Sequence, residues 1–229
     1  MKRYARQMML PEIGEAGQKQ LIAASVLIVG LGGLGSPASL YLTGAGVGRI
    51  GLCDPDTVSV SNLQRQTLYT VSDVSHRKTD AAYNRLSALS PHTTFEQWHD
   101  GLTERNAEKI IAGYDIVVDC CDNHATRYLI DDICGRLGIP WVYGSIGAFD
   151  GRVSIFMPGG LRYSDLYPER KTLSSLPPSS GGVIGPLPGI IGAIEASETI
   201  KTICGFGETL AGRLLAINIK DLSINILEL

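Results

Sequence analysis

The sequence predicts an α/β protein with a Rossmann-like, doubly wound and mostly parallel sheet that ends in antiparallel C-terminal strands. Three observations carry this. Short, nearly continuous apolar runs recur at 25–29, 116–119 and 141–145, as strands buried on both faces require. Helical segments separate them, giving the β-α-β-α order of a parallel sheet. The first run leads directly into a glycine turn, Gly30-Leu-Gly32-Gly33-Leu-Gly35, which opens the next helical segment.

Taken in order, 15–24 reads as a short helix and 25–29 as the first strand. Ser36 reads as the cap of a helix over 36–43, with Pro37 at its first position. Gly44, Gly46 and Gly48 turn the chain into a strand at 49–53. A helix over 76–89 closes at Ser90-Pro91. A strand at 93–97, a helix at 104–112 and the strand at 116–119 follow. The helix at 123–137 stops at Gly138, ahead of Pro140 and the strand at 141–145. Beyond Gly147 the pattern changes. Residues 151–157 alternate as a strand. Residues 158–189 are rich in Pro, Gly and Ser, too long for a plain connection and expected to be a functional loop. A largely apolar helix at 190–204 precedes a hairpin of 213–218 and 222–227. The expected organisation is a single domain over 1–229, with a nucleotide-binding βα half at 25–147 and a crossover loop, helix and hairpin at 148–229.

Bulk properties narrow the function. The chain has 229 residues, 44% hydrophobic and 19% charged, with a net charge of −3. That charge speaks against a broad electrostatic grip on nucleic acid. The five cysteines form no Cys-x-x-Cys pair and are odd in number, which speaks against a disulfide scaffold. The N-terminus lacks a signal-peptide pattern, and 184–194 is too short and too broken to span a membrane. The expected location is the cytoplasm.

The glycine turn speaks of a nucleotide. Gly30 permits the tight bend, Gly32 lets backbone amides approach phosphate, and Gly35 lets helix and strand pack closely. Asp54, ending the next strand, is placed to accept from ribose hydroxyls. Asp54-Pro-Asp56 then runs into a polar segment with Asn62 and Arg65, and Lys78 begins a helix. An Arg and a Lys beside one nucleotide suit a triphosphate better than a dinucleotide. Taken singly, either reads more readily as a solvated surface charge, and it is their shared setting beside the glycine turn that favours the nucleotide. Asp122-Asn123 follows the strand at 116–119, at the end where such sheets bind ligands. Asp122 could hold magnesium; alternatively the pair only caps the following helix.

Together these residues resemble the ThiF/MoeB/HesA family, bacterial relatives of ubiquitin-activating enzymes. The resemblance rests on Arg3-Tyr-Ala-Arg6-Gln7, the Gly30–Gly35 turn, Asp54-x-Asp56, Ser61-Asn62-Leu63-Gln64-Arg65-Gln66, Lys78, Asp122-Asn123 and Gly185-Pro-Leu-Pro-Gly189. It covers nearly the whole chain, and the string at 61–66 is its most specific part.

The resemblance implies adenylation of the C-terminal Gly-Gly carboxylate of a small ubiquitin-like sulfur carrier, with ATP and magnesium. It implies ATP contacts at Gly33, Asp54, Asn62, Arg65, Lys78 and Asp122, within a nucleotide-binding set that also takes in Gly30, Gly32, Asp56, Ser61, Leu63, Gln64 and Asn123. It implies magnesium at Asp122. Arg6 matches an arginine that reaches the neighbouring subunit's site, so a homodimer with shared sites is expected. The catalytic set is then Arg6, Arg65, Lys78 and Asp122. No general base is needed, because a chain-terminal carboxylate is already ionised at neutral pH.

Two departures stand out. Many members bind a structural zinc through two Cys-x-x-Cys pairs. Here the first would fall at Arg162-Tyr163-Ser164-Asp165, and no cysteine follows Cys204, so no zinc is expected. Some members carry a crossover-loop cysteine. Its place falls at or near Pro178, with no cysteine in the loop, so adenylation without an enzyme–carrier thioester is expected, with sulfur from a separate donor. The remaining cysteines are expected as buried packing in strands and helices. Other readings are a relative acting on a peptide or a modified tRNA base, an NAD-dependent oxidoreductase, and a non-catalytic nucleotide-binding module. The oxidoreductase leaves Asn62, Arg65 and Lys78 unexplained. Between thiamin and molybdopterin pathways the reading leans to thiamin.

Overall fold

A computed structural model of the protein describes residues 2–177 and 181–229. Eight strands form one sheet: β1 (Ser25–Val29), β2 (Arg49–Cys53), β3 (Thr94–Trp98), β4 (Ile116–Asp119), β5 (Trp141–Gly147), β6 (Asp150–Phe156), β7 (Arg213–Asn218) and β8 (Ser223–Glu228). Their order is β3-β2-β1-β4-β5-β6-β7-β8. The first five run parallel and the last three pair antiparallel, as the sequence predicts.

The helices are α1 (Ala5–Met8), α2 (Gly14–Ala23), α3 (Gly35–Ala45), α4 (Lys78–Leu89), α5 (Ala107–Ile111), α6 (His124–Leu137), α7 (Tyr163–Leu166), α8 (Arg170–Ser174) and α9 (Pro186–Cys204). Strand alternation divides the apolar side chains between two faces. Val26, Ile28, Ile116 and Val118 join one core with Ala38 and Leu42 of α3, Leu86 of α4 and Ile191 of α9. Leu27, Val29 and Val117 join the other with Ile110 of α5 and Ile133 of α6. Every residue of β1 is buried, so its uninterrupted apolar run is what a central strand covered on both faces requires.

Several expectations shift. Ser36 is not a cap: the helix begins at Gly35, and the Ser36 hydroxyl donates to the Gly32 carbonyl (2.7 Å). Asn123 does cap, its Oδ1 accepting from the Thr126 amide at 2.9 Å. The expected long loop contains α7, α8 and the first turn of α9. Pro186 at the first position of α9 fits, since its missing N–H is not needed there. Pro178, where the loop cysteine of some relatives would fall, lies outside the described residues.

Glu195 of α9 is fully buried over the ends of β4 and β5. A Cβ on Gly144 would overlap its carboxyl group, and its described hydrogen-bond partner is the Cys120 thiol at 3.8 Å. Burial pushes this carboxyl well above its ordinary value of 4.5, with Asp119 adding to the effect, so the acid is held neutral. The unfolded chain ionises first, so the stability Glu195 contributes is fully present below 4.5 and is lost as pH rises, by up to about 1.4 kcal/mol per pH unit. Glu195→Gln removes this penalty. Denaturant titrations should find the variant more stable than wild type at pH 8, with the difference shrinking steadily and vanishing towards pH 4. Equal stability at pH 8 would contradict a neutral, buried acid.

Candidate functional site

β1 and β4 are neighbours, but the chain leaves them towards opposite edges of the sheet, which opens a crevice beyond their C-terminal ends. A cleft of about 1040 Å³ lies there. Gly30, ending β1, has φ +92, and a Cβ on it would lie 2.5 Å from the Cys120 carbonyl oxygen. Gly35 abuts the Gly30 carbonyl with no space for a side chain. These two glycines let the turn bend and α3 dock, whereas a Cβ on Gly32 would make only an ordinary contact with the Gln66 side chain, at 3.4 Å. The Gly30 amide donates to Cys53 O at 2.8 Å, and the Leu31 amide donates to Asp54 Oδ2 at 2.7 Å. The amides of Gly32, Gly33 and Leu34 have no acceptor among the described residues. A helix N-terminus without a side-chain cap therefore presents free donors to the cleft.

Asp54 is 5% exposed. Besides Leu31, it accepts from the Asp56 amide (2.8 Å) and lies 3.6 Å from Lys78 Nζ. Burial pushes its carboxyl up, while Lys78 and the two amides pull it back. Lys78, itself buried at the start of α4, donates to the exposed Asp56 carboxylate at 2.8 Å. Asp54, Asp56 and Lys78 thus form one cluster on the cleft wall.

Residues 61–66 divide. Gln64, Arg65 and Gln66 line the cleft. The Arg65 guanidinium folds back to donate to Ser61 O (3.1 Å). Ser61, Asn62 and Leu63 are not among the lining residues. Asn62 Oδ1 accepts from the Ser59 amide (3.1 Å), closing a one-turn helix, and Leu63 packs on the core. Gln66 is 5% exposed, and its Oε1 has no partner among the described residues. The Gly185–Gly189 segment packs behind this wall: a Cβ on Gly33 would meet Pro188 at 2.9 Å, and one on Gly185 would meet Gln64 O at 2.5 Å.

At the end of β4, Asp119 is fully buried and pairs with Arg127 Nε at 3.3 Å. Arg127 also donates to Cys121 O (2.8 Å) and Gly144 O (3.2 Å), tying β4 to β5. Burial works against its charge, but the Asp119 carboxylate beside it outweighs that, so the guanidinium stays charged. Asp122 is exposed in the cleft with no hydrogen-bond partner among the described residues. Cys120 and Cys121 correct an expectation. They lie beyond β4 in neither strand nor helix and line the cleft, because the strand ends at Asp119 where the chain turns to α6. They are nonetheless buried, and burial pushes both thiols well up, so neither is a thiolate at neutral pH.

The sequence reading missed the opposite wall, formed by His124, Arg127, Tyr143, Ser145, Arg152 and Tyr167. These come from α6, β5, β6 and the segment after α7. Only Arg127 left a trace, lying one helical turn beyond Asn123 on the same face of α6. Arg6 is exposed on α1, and the cleft lining does not include it. At the position expected for the first zinc pair, Arg162 bonds Asp131 (3.0 Å) and Asp132 (2.9 Å), and the Tyr163 and Ser164 amides donate to Asp131. Among the described residues no three His, Cys, Asp or Glu side chains gather to hold a metal, and no helix is long and apolar enough to cross a membrane.

A family model described as the ThiF family matches residues 4–229. The chain is 44% identical over 231 residues to a sulfur carrier protein adenylyltransferase of Thermus thermophilus, covering 97% of this chain and 85% of that one. It is 45% identical over 221 residues to the adenylyltransferase and sulfurtransferase MOCS3 of Drosophila grimshawi, covering 93% of this chain and about half (48%) of that protein. Among solved structures, E. coli MccB with ATP superposes with a TM-score of 0.86 over 100% of this chain and 71% of that chain, at 22% identity. This last likeness concerns the fold alone.

Proposed function

This chain belongs to the ThiF family, and on that premise we propose that it uses ATP to adenylate the C-terminal Gly-Gly carboxylate of a small ubiquitin-like sulfur carrier, releasing pyrophosphate. The observation that carries this reading is the convergence on one cleft of three uncommitted loop amides, the buried Lys78 and the unpaired Asp122 carboxylate. Free amides and an ammonium suit phosphate oxygens. Asp122 suits magnesium, which takes one or two carboxylates together with phosphate oxygens. When bound, the ion would neutralise charge on the phosphates.

The chain's own residues have a positioning task. The carrier carboxylate is a nucleophile without deprotonation, its ordinary pKa being about 3.3–3.7. Its oxygen bonds the α-phosphorus as the α–β bridging bond breaks, and the electron pair leaves on pyrophosphate. The glycine-turn amides, Arg65 and Lys78 bring two anions together and oppose the charge that develops on the leaving group. Asp54 would hold the ribose and, through Leu31, fix the turn that holds the phosphates. Asn62 acts from behind the wall by shaping the 61–66 turn.

The wider reading is one adenylating unit over 1–229, a cytoplasmic homodimer in which Arg6 completes the neighbour's cleft, and a separate sulfur donor without a loop thioester. No zinc enters it, the Arg162–Asp131 contacts fastening that segment instead. Radiolabelled pyrophosphate exchange into ATP tests the core claim. Exchange should require magnesium and a carrier ending in Gly-Gly, should fall with a carrier lacking the last glycine, and should drop about a hundredfold or more in Asp122→Ala. Undiminished exchange in Asp122→Ala would remove the metal role. Exchange driven by a free peptide instead of the carrier would move the acceptor.

A further inference from the structure

Tyr163 is fully buried, and its hydroxyl has one partner among the described residues, His124 Nδ1 at 2.7 Å. A buried phenol that fails to donate loses a hydrogen bond it made in water, so the hydroxyl donates here. Nδ1 therefore accepts, and the proton of a neutral imidazole sits on Nε2. That nitrogen has no partner among the described residues, while the ring lies half-buried in the cleft wall beside Asp122. Tyr163 is fixed in turn: its amide donates to Asp131 Oδ1 at 3.1 Å, and its ring packs 5.1 Å from Tyr128 and 4.8 Å from Tyr167. Asp131 is itself clamped by Arg162.

From this chain of contacts we propose that His124 is a substrate-contacting residue, whose Nε2–H donates to a main-chain carbonyl or carboxylate oxygen of the acyl substrate's C-terminal glycines. The proposal rests on the carrier-adenylating reading above and names its acyl-side subsite. The neighbouring groups suit an extended glycine tail. Tyr143 donates to Ser145 (2.8 Å), and Arg152 reaches the Tyr167 hydroxyl (3.4 Å), so these side chains form one polar strip away from the glycine turn. A glycine tail offers amide and carboxylate oxygens but no side chains, and a wall with fixed donors recognises such a ligand.

The test measures carrier-dependent pyrophosphate exchange, with a recombinant ubiquitin-like carrier ending in Gly-Gly, together with ATP binding by calorimetry. His124→Phe should raise the carrier KM about tenfold with the ATP Kd unchanged, as expected for one lost hydrogen bond. His124→Gln, whose amide supplies a donor near the place of Nε2, should stay within about threefold of wild type. An unchanged KM in His124→Phe, or equal impairment of both variants, overturns the subsite. Absence of wild-type exchange with the carrier overturns the adenylation reading and this one with it.

Discussion

If Lys78 meets the phosphates as proposed, Lys78→Ala should lower pyrophosphate exchange by about a thousandfold, the upper range for removing one preorganised donor from a reacting phosphate. Lys78 is buried with Asp54 at 3.6 Å and Asp56 at 2.8 Å, so its ammonium is held in place before any nucleotide arrives. Without it, two carboxylates face incoming phosphates with no intervening cation. Circular dichroism should still report a folded chain, because Asp54 keeps the Leu31 and Asp56 amides. The same variant tests the shared site. Mixed with Arg6→Ala, Lys78→Ala should recover roughly a quarter of wild-type exchange, since half the dimers are mixed and each regains one of two clefts. No recovery would mean that Arg6 works within its own chain or not at all. Near-normal exchange by Lys78→Ala alone would end the phosphate role.

Arg127→Leu destabilises the protein by about 3–5 kcal/mol, because it leaves the Asp119 carboxylate fully buried without its partner. For a chain of this size the melting temperature should drop by roughly 10 °C. The loss is structural as well as electrostatic: the guanidinium also holds Cys121 O and Gly144 O, joining the loop after β4 to β5. Adding Asp119→Asn to Arg127→Leu should restore part of the lost stability, since the orphaned charge disappears. A double variant as unstable as the two losses combined would show that the pair is not a coupled unit.

The first half of the sheet was legible because central parallel strands are buried on both faces and carry a continuous apolar signal, as at Val26–Val29 and Ile116–Val118. The glycine turn was legible because its constraints are local. Gly30 and Gly35 are needed for contacts within a few residues of chain or at the adjoining strand end. The start of α9 was missed because Gly185-Pro-Leu-Pro-Gly189 carries loop composition, yet prolines suit the first turn of a helix. The wall of His124, Tyr143, Arg152 and Tyr167 was illegible for a different reason. Those residues meet only through the pairing of β5 with β6 and the docking of the crossover segment, and neither leaves a short motif. Asn62 illustrates the reverse: the motif marked it, but its side chain is spent on the Ser59 amide rather than the cleft.

The boundary at 147 and 148 looks on paper like a seam between modules. It does not mark a place where the molecule divides. Helix α9, drawn from the second half, lies across α3 of the first, with Gly192 against the Leu34 carbonyl and Pro188 against Gly33. Ile191 fills the space above Gly151 and belongs to the same core as Val26 and Leu42. The glycine turn therefore takes its rear support from residues that follow it by more than a hundred positions. A gene fragment ending at 147 would encode every strand of the parallel half and the whole glycine turn, and still lack the surface on which that turn rests. A swap of the turn that left α9 behind would have to reproduce the contacts at Gly33 and Leu34 from the other side.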